Sequence, residues 1–341
     1  MLDDLKFIHS RDGQDALGIA EKQWQQLDHE FKATVEPREF SNIVFGGMGG
    51  SALAALVSKS WPGYTLPFEI CRNYDIPAYV SPQTLFFASS YSGNTEETLS
   101  ALEQAEQAGA TIVVITSGGK LAEIATQKGY PFVQLPTGFQ PRYTALYGLK
   151  AIVTVLDAYG LTSSKTAELA QYSGFVKQTT AQWRPDVATK DNYAKQIALE
   201  LMGKSEVIYS GPKLSPAAYK WKISMNENAK HIAWWDELPE FNHNEMLGWT
   251  EQPIQKPYAV IEFKSSLEHP RIQKRFEVTD RILSGKRPNP IIIEPKGETI
   301  LEQLLYSIAL GDFVSIYLAL LNNLNPTPVD LIEKFKKLLD E

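Results

Sequence analysis

In the first 157 residues, short runs that are apolar throughout alternate with longer segments whose apolar residues recur every three or four positions. SNIVFGGM (41–48), FEICRN (68–73), TLFFASS (84–90), TIVVITS (111–117) and FVQLP (132–136) have the length and the β-branched or aromatic content of buried strands. Between them, SALAALVSKSW (51–61) and TEETLSALEQAEQAGA (95–110) have helical spacing, the second stopping at Gly109. Apolar strands separated by helices predict a parallel sheet wrapped on both faces, with ligands at the carboxyl ends of the strands.

From Arg142, RYTALYGLKAIVTVLDAYG predicts a long helix leading into a polar, helical connection. A second alternating series follows. SEVIYSG (205–211), YAVIEFKS (258–265) and NPIIIEP (289–295) are its strands, with helices near 216–230, 269–284 and 298–322. PTPVDLIEKFKKLLDE closes the chain as an amphipathic helix with Pro326 and Pro328 at its start. Both halves follow one plan of strand, small-residue loop and helix. The expected fold class is α/β, with two tandem flavodoxin-like, doubly wound parallel-sheet domains and a C-terminal helix. The expected divisions are 1–157, a helical connection 158–195, and 196–341.

Composition narrows the function. A chain of 341 residues exceeds what one core serves well, which agrees with two domains. A net charge of −7 argues against a nucleic-acid partner. The single cysteine, Cys71, excludes an intramolecular disulfide and suits the reducing cytosol, so a cytoplasmic location is expected. The N-terminal MLDDLKFIHSRDGQD is acidic and has no apolar core, so no signal peptide is expected. No apolar run approaches the roughly 20 residues of a membrane span, so no membrane association is expected either.

Two loops could hold a phosphate. GGMGGSALAA (46–55) follows a strand and opens a helix, where glycines admit an anion to free N–H groups. It also fits a loose dinucleotide pattern through Gly47, Gly49 and Ala52, with Glu69 as the ribose acid. The third strand ends in SSYSGNTEET (89–98), which adds the hydroxyls of Ser90, Ser92 and Thr95. A helix cap explains one of these hydroxyls, not three. Several hydroxyls on two neighbouring loops favour one small dianion, a phosphomonoester. As a pair, GGMGGSA and SSYSGNTEETL resemble the phosphate loops of the sugar isomerase (SIS) domain.

The stretch MNENAKHIAWWDELPEFNHNEMLGW (225–249) sets Glu227, Asp236, Glu237, Glu240 and Glu245 among asparagines, histidines and the aromatics Trp234, Trp235, Phe241 and Trp249. A solvated acidic surface has no need of the aromatics, and a core does not admit bare carboxylates. The reading that accommodates both is the mobile half of a wet active site. Its preceding helix is expected to start with Ser215 as N-cap and Pro216 at the first position, and to bring Glu227 near its C-terminal end. A carboxylate there meets the negative pole of the helix, poor for stability and suited to accepting a proton. The plainer alternative is an ion pair with Lys222 or Lys230. His243 sits between Asn242 and Asn244, amides able to fix its tautomer. Arg142, after Pro141 at the end of the fifth strand, is placed to meet a developing anion, or else forms a surface ion pair. Five scattered histidines without a ligand motif make no metal site.

ENAK (227–230), ELPEFNHNEMLGW (237–249), the Pro141–Arg142 pair and DFVSIYLALLNNLNPTPVDLIEKFK (312–336) resemble the bifunctional phosphoglucose/phosphomannose isomerases, a family of two tandem SIS domains, over essentially the whole chain. That resemblance implies hexose 6-phosphate substrates, a cis-enediolate, no metal or other cofactor, and a homodimer whose histidine crosses the interface. It makes Glu227 the base, His243 the ring opener and Arg142 the stabiliser of the enediolate. It assigns the phosphate to Gly49, Gly50, Ser51, Ser90, Ser92 and Thr95. Thr327, leaving room for either C2 epimer, and Lys334 match the remaining site positions. The rival readings are a non-catalytic SIS-type sugar-phosphate sensor, an amino-sugar-phosphate isomerase or deaminase, and a dinucleotide enzyme.

Overall fold

The computed structural model describes residues 1–250 and 257–339; the last two residues of the expected closing helix lie outside them. The chain divides into two compact units, one of residues 23–175 and the other of 1–22 with 176–341. These boundaries differ from the expected 1–157, 158–195 and 196–341. The first 22 residues pack with the C-terminal unit, and the connecting segment is shared between the two.

In the unit 23–175, β1 (Asn42–Gly46), β2 (Phe68–Cys71), β3 (Thr84–Ser89), β4 (Thr111–Thr116) and β5 (Phe132–Gln134) form a parallel sheet ordered β2-β1-β3-β4-β5. Alternate residues cover its two faces, as the period of a strand requires. Ile43, Phe45, Leu85, Phe87, Val113 and Ile115 meet Ala54 and Ala55 of the Gly49–Ser60 helix, and Ile152 and Val155 of Ala145–Ala158. Val44, Phe86, Ala88, Ile112 and Val114 meet Ala101, Leu102 and Ala105 of Glu96–Gln107, and Leu121 and Ala125 of Gly119–Lys128. The strand order reverses between β1 and β3, and both candidate loops leave the sheet there.

In the other unit, β6 (Ser205–Ser210), β7 (Ala233–Glu237), β8 (Tyr258–Phe263) and β9 (Ile291–Ile293) are also parallel, ordered β7-β6-β8-β9. Strand β7 lies inside the acidic stretch and was not expected. AWWDE pairs with β6 through Glu206–Ser210, and Phe241 and Trp249 are buried in the core with Val207, Tyr209, Val260 and Phe276. The aromatics that looked out of place are thus an edge strand and a piece of core.

The Ile300–Leu321 helix is buried at every residue except Ile300 and Glu302. It corrects one expectation. By length and composition it passes for a membrane span, with a mean hydropathy of 1.9, yet 94% of that window is buried inside the protein. A helix apolar all round is what a core surrounded on every side demands.

Two polar contacts tie this helix to its surroundings. Lys220, of helix Ser215–Ser224, is fully buried; its ammonium pairs with Asp312 and donates to Ser224 Oγ at 2.6 Å. His231 Nδ1 lies 2.9 Å from Oε1 of the buried Glu206 on β6, and its Nε2 is 2.8 Å from the Asn322 amide just past the helix end. The Glu206 hydrogen bond holds the His231 pKa above its ordinary value, against the opposing effect of partial burial.

Two expectations follow, both readable by tryptophan fluorescence from Trp183, Trp221, Trp234, Trp235 and Trp249, all in this unit. Asp312→Ala strands the Lys220 charge in the core and should lower stability by about 3–5 kcal/mol in urea denaturation. Because the folded-state pKa of His231 is raised, its contribution is fully present below about pH 6.5 and is lost as pH rises through the raised value. The urea midpoint should fall over that interval in the wild type, and His231→Gln should flatten the slope.

Candidate active site

The two loops of the N-terminal unit meet as a cradle. Strand β1 ends at Gly46, Met48 takes an extended conformation, and the next helix opens at Gly49 with no side-chain cap. Gly49 has φ +50°, a left-handed turn that glycine adopts without strain. Gly50 lies against the Pro141–Arg142 backbone; a Cβ there would fall 2.7 Å from the Pro141 carbonyl oxygen. That close approach brings the arginine segment to the first turn of the helix. Ser51 Oγ joins the loops by accepting the Tyr91 N–H at 3.1 Å.

The second loop is organised around Ser90, which is buried. Its Oγ is 2.7 Å from Thr95 Oγ1 and 3.4 Å from Ser92 Oγ, and it accepts the Gly93 N–H at 3.1 Å. Thr95 occupies the N-cap position of Glu96–Gln107, but its side chain makes no capping bond. Its hydroxyl turns to Ser90, so the capping role considered from sequence is not the one it plays. Hydroxyls, main-chain N–H groups and two helix starts converge in a form suited to a phosphate dianion. Glu69, the ribose acid of the dinucleotide reading, instead accepts a hydrogen bond from the Tyr79 hydroxyl.

Arg142 is in a short 3-10 turn, Pro141–Tyr143, and not in the first turn of the following helix, which begins at Ala145. Proline fixes the turn and Thr144 separates it from the helix. The guanidinium is 1% exposed and lies 4.8 Å from the Tyr143 ring centroid. Little solvent reaches this cation, so its field is weakly screened.

In the C-terminal unit, the helix carrying Lys220 has Leu214 at its N-cap position, with Ser215 already helical and making no side-chain cap. It ends at Ser224 and widens into a π-helical turn, Met225–Ala229, with Glu227 in the middle. Such turns are frequent at functional sites. The flanking polar residues fix this one. Asn226 Nδ2 donates to the His231 carbonyl at 2.8 Å, and Asn228 Nδ2 to Ser315 Oγ at 2.9 Å. Lys230 Nζ donates to the Glu227 carbonyl at 2.7 Å, to Pro326 at 3.1 Å and to Asn325 at 3.4 Å. Lys230 thereby draws the segment bearing Thr327 to the Glu227 turn. Thr327 is buried, and its N–H donates to Asn325 Oδ1 at 3.0 Å.

His243 and Lys334 do not join the Glu227 group. His243 ends the 3-10 turn Glu240–His243 and is exposed. The amides beside it brace the loop rather than the imidazole: Asn242 bonds Thr279 and Arg275, and Asn244 bonds Glu240. Lys334 is exposed on the Asp330–Leu339 helix, none of whose residues is buried. The positioning residues Asn226, Asn228 and His231 escaped the sequence reading, which took Lys230 only for a possible ion-pair partner, although their crowding around Glu227 was visible. Among the described residues, no three His, Cys, Asp or Glu side chains are grouped to hold a metal ion.

Comparison with known proteins agrees with this architecture. Residues 38–129 match the SIS domain family, and residues 190–339 the family of the bacterial phospho-glucose isomerase C-terminal SIS domain. A crystal structure of a glucose-6-phosphate isomerase-like protein from Thermus thermophilus superposes with a TM-score of 0.66 at 17% identity, covering 98% of each chain. A D-glucosamine-6-phosphate 4-epimerase from Sulfolobus acidocaldarius is 29% identical over 86% of this chain and 88% of its own. The bifunctional phosphoglucose/phosphomannose isomerase of Aquifex aeolicus is 33% identical over 87% of this chain and 90% of its own. With two SIS units and this likeness along most of its length, the chain belongs to the bifunctional phosphoglucose/phosphomannose isomerase family.

Proposed function

We propose that the protein interconverts glucose 6-phosphate and mannose 6-phosphate with fructose 6-phosphate through a cis-enediolate, without a metal ion. The observation that supports this most directly is the Ser90-centred cradle, a set of neutral donors at two helix starts matched to one phosphate dianion. Gly49, Gly50, Ser51, Ser90, Ser92 and Thr95 hold that phosphate and fix the register of the sugar.

The aldose and the ketose differ by one proton moved between C1 and C2. His243 opens the sugar ring. The Glu227 carboxylate takes the proton from one carbon and returns it to the other. The buried Arg142 guanidinium stabilises the enediolate oxygen, where low solvent access makes a fixed charge effective. Thr327 leaves space for either configuration at C2, and Lys334 acts on a sugar hydroxyl or ring oxygen. A single carboxylate serving both carbons requires no Lewis acid.

A homodimer completes the proposal. Leu331, Ile332, Phe335, Leu338 and Leu339 recur at helical spacing on the C-terminal helix and are 41–81% exposed, an apolar face beside Lys334 that a second copy would cover. His243 then reaches the partner's substrate.

Glu227→Gln keeps the shape of the side chain and removes its basicity. With EDTA present throughout, kcat on both aldoses should fall about a hundred- to ten-thousand-fold while sugar-phosphate binding persists. Retained turnover would remove Glu227 from the base role. Glucosamine 6-phosphate, assayed alongside for its 4-epimer and for ammonia, tests the amino-sugar reading that the Sulfolobus acidocaldarius relative favours. For the dimer, sedimentation velocity should show two chains in the wild type and one in Phe335→Glu, with activity lost on dissociation. A fully active monomer would contradict the shared site.

A further inference from the structure

The C-terminal unit repeats the geometry of the cradle. Strands β6 and β8 hold the places of β1 and β3 where strand order reverses. Their registers fix a residue correspondence. Gly46 pairs with Ala88 in the first sheet, and Ser210 with Phe263 in the second. Counting one residue on from β1 and β6 aligns Gly47 with Gly211. Counting two on from the partner strands aligns Ser90 with Ser265. Both serines are buried, and each hydroxyl accepts a main-chain N–H from its own loop, Gly93 at 3.1 Å and Leu267 at 3.0 Å.

What fills the two crevices differs. In the C-terminal unit Glu268, from the loop after β8, is 4% exposed, and its Oε1 accepts the Lys213 N–H at 2.7 Å where the chain enters the Ser215–Ser224 helix. Burial pushes the Glu268 carboxyl above its ordinary value, opposed by the main-chain N–H groups and the Lys213 charge around it, which favour the carboxylate. A Cβ at Gly211 would fall 2.5 Å from the same oxygen, so the glycine leaves the gap that the carboxylate fills. The Lys213 ammonium bonds the Leu267 carbonyl and closes one loop onto the other. Beside them lies a cavity of about 370 Å³ lined by Ser265, Ser266, Glu268, Gln273, Glu294 and Gln303 among others. A carboxylate held by main-chain N–H groups at a helix entrance satisfies the same donors as a phosphate oxygen.

We infer that the C-terminal unit holds a second anion cradle occupied by the chain's own Glu268 carboxylate, so that each chain binds one phosphate rather than two. Glu268 is a built-in anion that braces the loops after β6 and β8 and keeps free phosphate and sulfate out. The inference rests on the reading of the N-terminal loops as a phosphate site, and the test separates the two.

Inorganic phosphate is titrated calorimetrically into the wild type, Glu268→Ser and Glu268→Gln, with folding followed by circular dichroism. The wild type should bind one phosphate per chain, Glu268→Ser two, and Glu268→Gln one, because the amide still fills the gap. Adding Ser90→Ala and Thr95→Ala to Glu268→Ser should weaken the first site and leave the new one. No binding by the wild type with one site in Glu268→Ser would refute the N-terminal phosphate reading and uphold the occluded cradle. A folded Glu268→Ser that gains no site even at tens of millimolar phosphate would overturn the inference. If Glu268→Ser folds only when phosphate or sulfate is present, the anion is replacing the carboxylate and the inference stands. If it does not fold at all, the remaining proteins decide: two sites in the wild type, or a second site in Glu268→Gln, sink the idea, and one in each upholds it.

Discussion

A parallel sheet is covered on both faces when the chain returns over it through helices, always to the same end. β1, β3, β6 and β8 each deliver the chain, at the carboxyl end, to the positive pole of a helix. Where strand order reverses, two such poles open onto one crevice, and N–H groups face whatever lies there. This constraint operates twice in the chain. In the unit containing β1 and β3, the crevice is lined with hydroxyls and suits an external dianion. In the unit containing β6 and β8, a buried glutamate fills the corresponding place. The backbone problem is the same, and one side chain separates a receptive solution from a closed one.

The turn bearing Glu227 shows how an acid can be held where helix electrostatics oppose it. The helix before it is pinned by the buried Lys220–Asp312 pair. The turn itself is a π-helical widening held by Asn226, Asn228, Lys230 and His231. Each bond satisfies a group that the irregular backbone would otherwise leave unmatched. The asparagines near Glu227 are therefore scaffolding. Their amides provide the fixed geometry that the proton transfer proposed for Glu227 requires.

Much of this was legible in the amino-acid order. Apolar runs of four to six residues separated by helical periodicity give two parallel sheets, because few other arrangements bury such strands on both faces. The paired loops of glycine, serine and threonine marked the cradle proposed for phosphate, because they place many small donors after adjacent strands. Strand β7 was missed for an equally physical reason. Trp234 and Trp235 run straight into the carboxylates Asp236 and Glu237, which break the apolar run by which a central strand is recognised. The Ile300–Leu321 helix was expected near 298–322, and only its apolar length was underrated; a core helix enclosed all round and a membrane span share one composition.

By itself the sequence determined the fold class, the pairing of the two small-residue loops and the place of Glu227 near the end of a helix, because these follow from periodicity and residue chemistry over a few neighbouring positions. Tertiary structure alone decided that Thr95 turns its hydroxyl to Ser90, that Arg142 stands in a separate turn, that Lys230 draws the Thr327 segment to Glu227, and that Glu268 closes the second crevice. The last two depend on which distant segments the fold brings within about 3 Å of one another, a distance at which hydrogen bonds choose between otherwise equivalent rotamers.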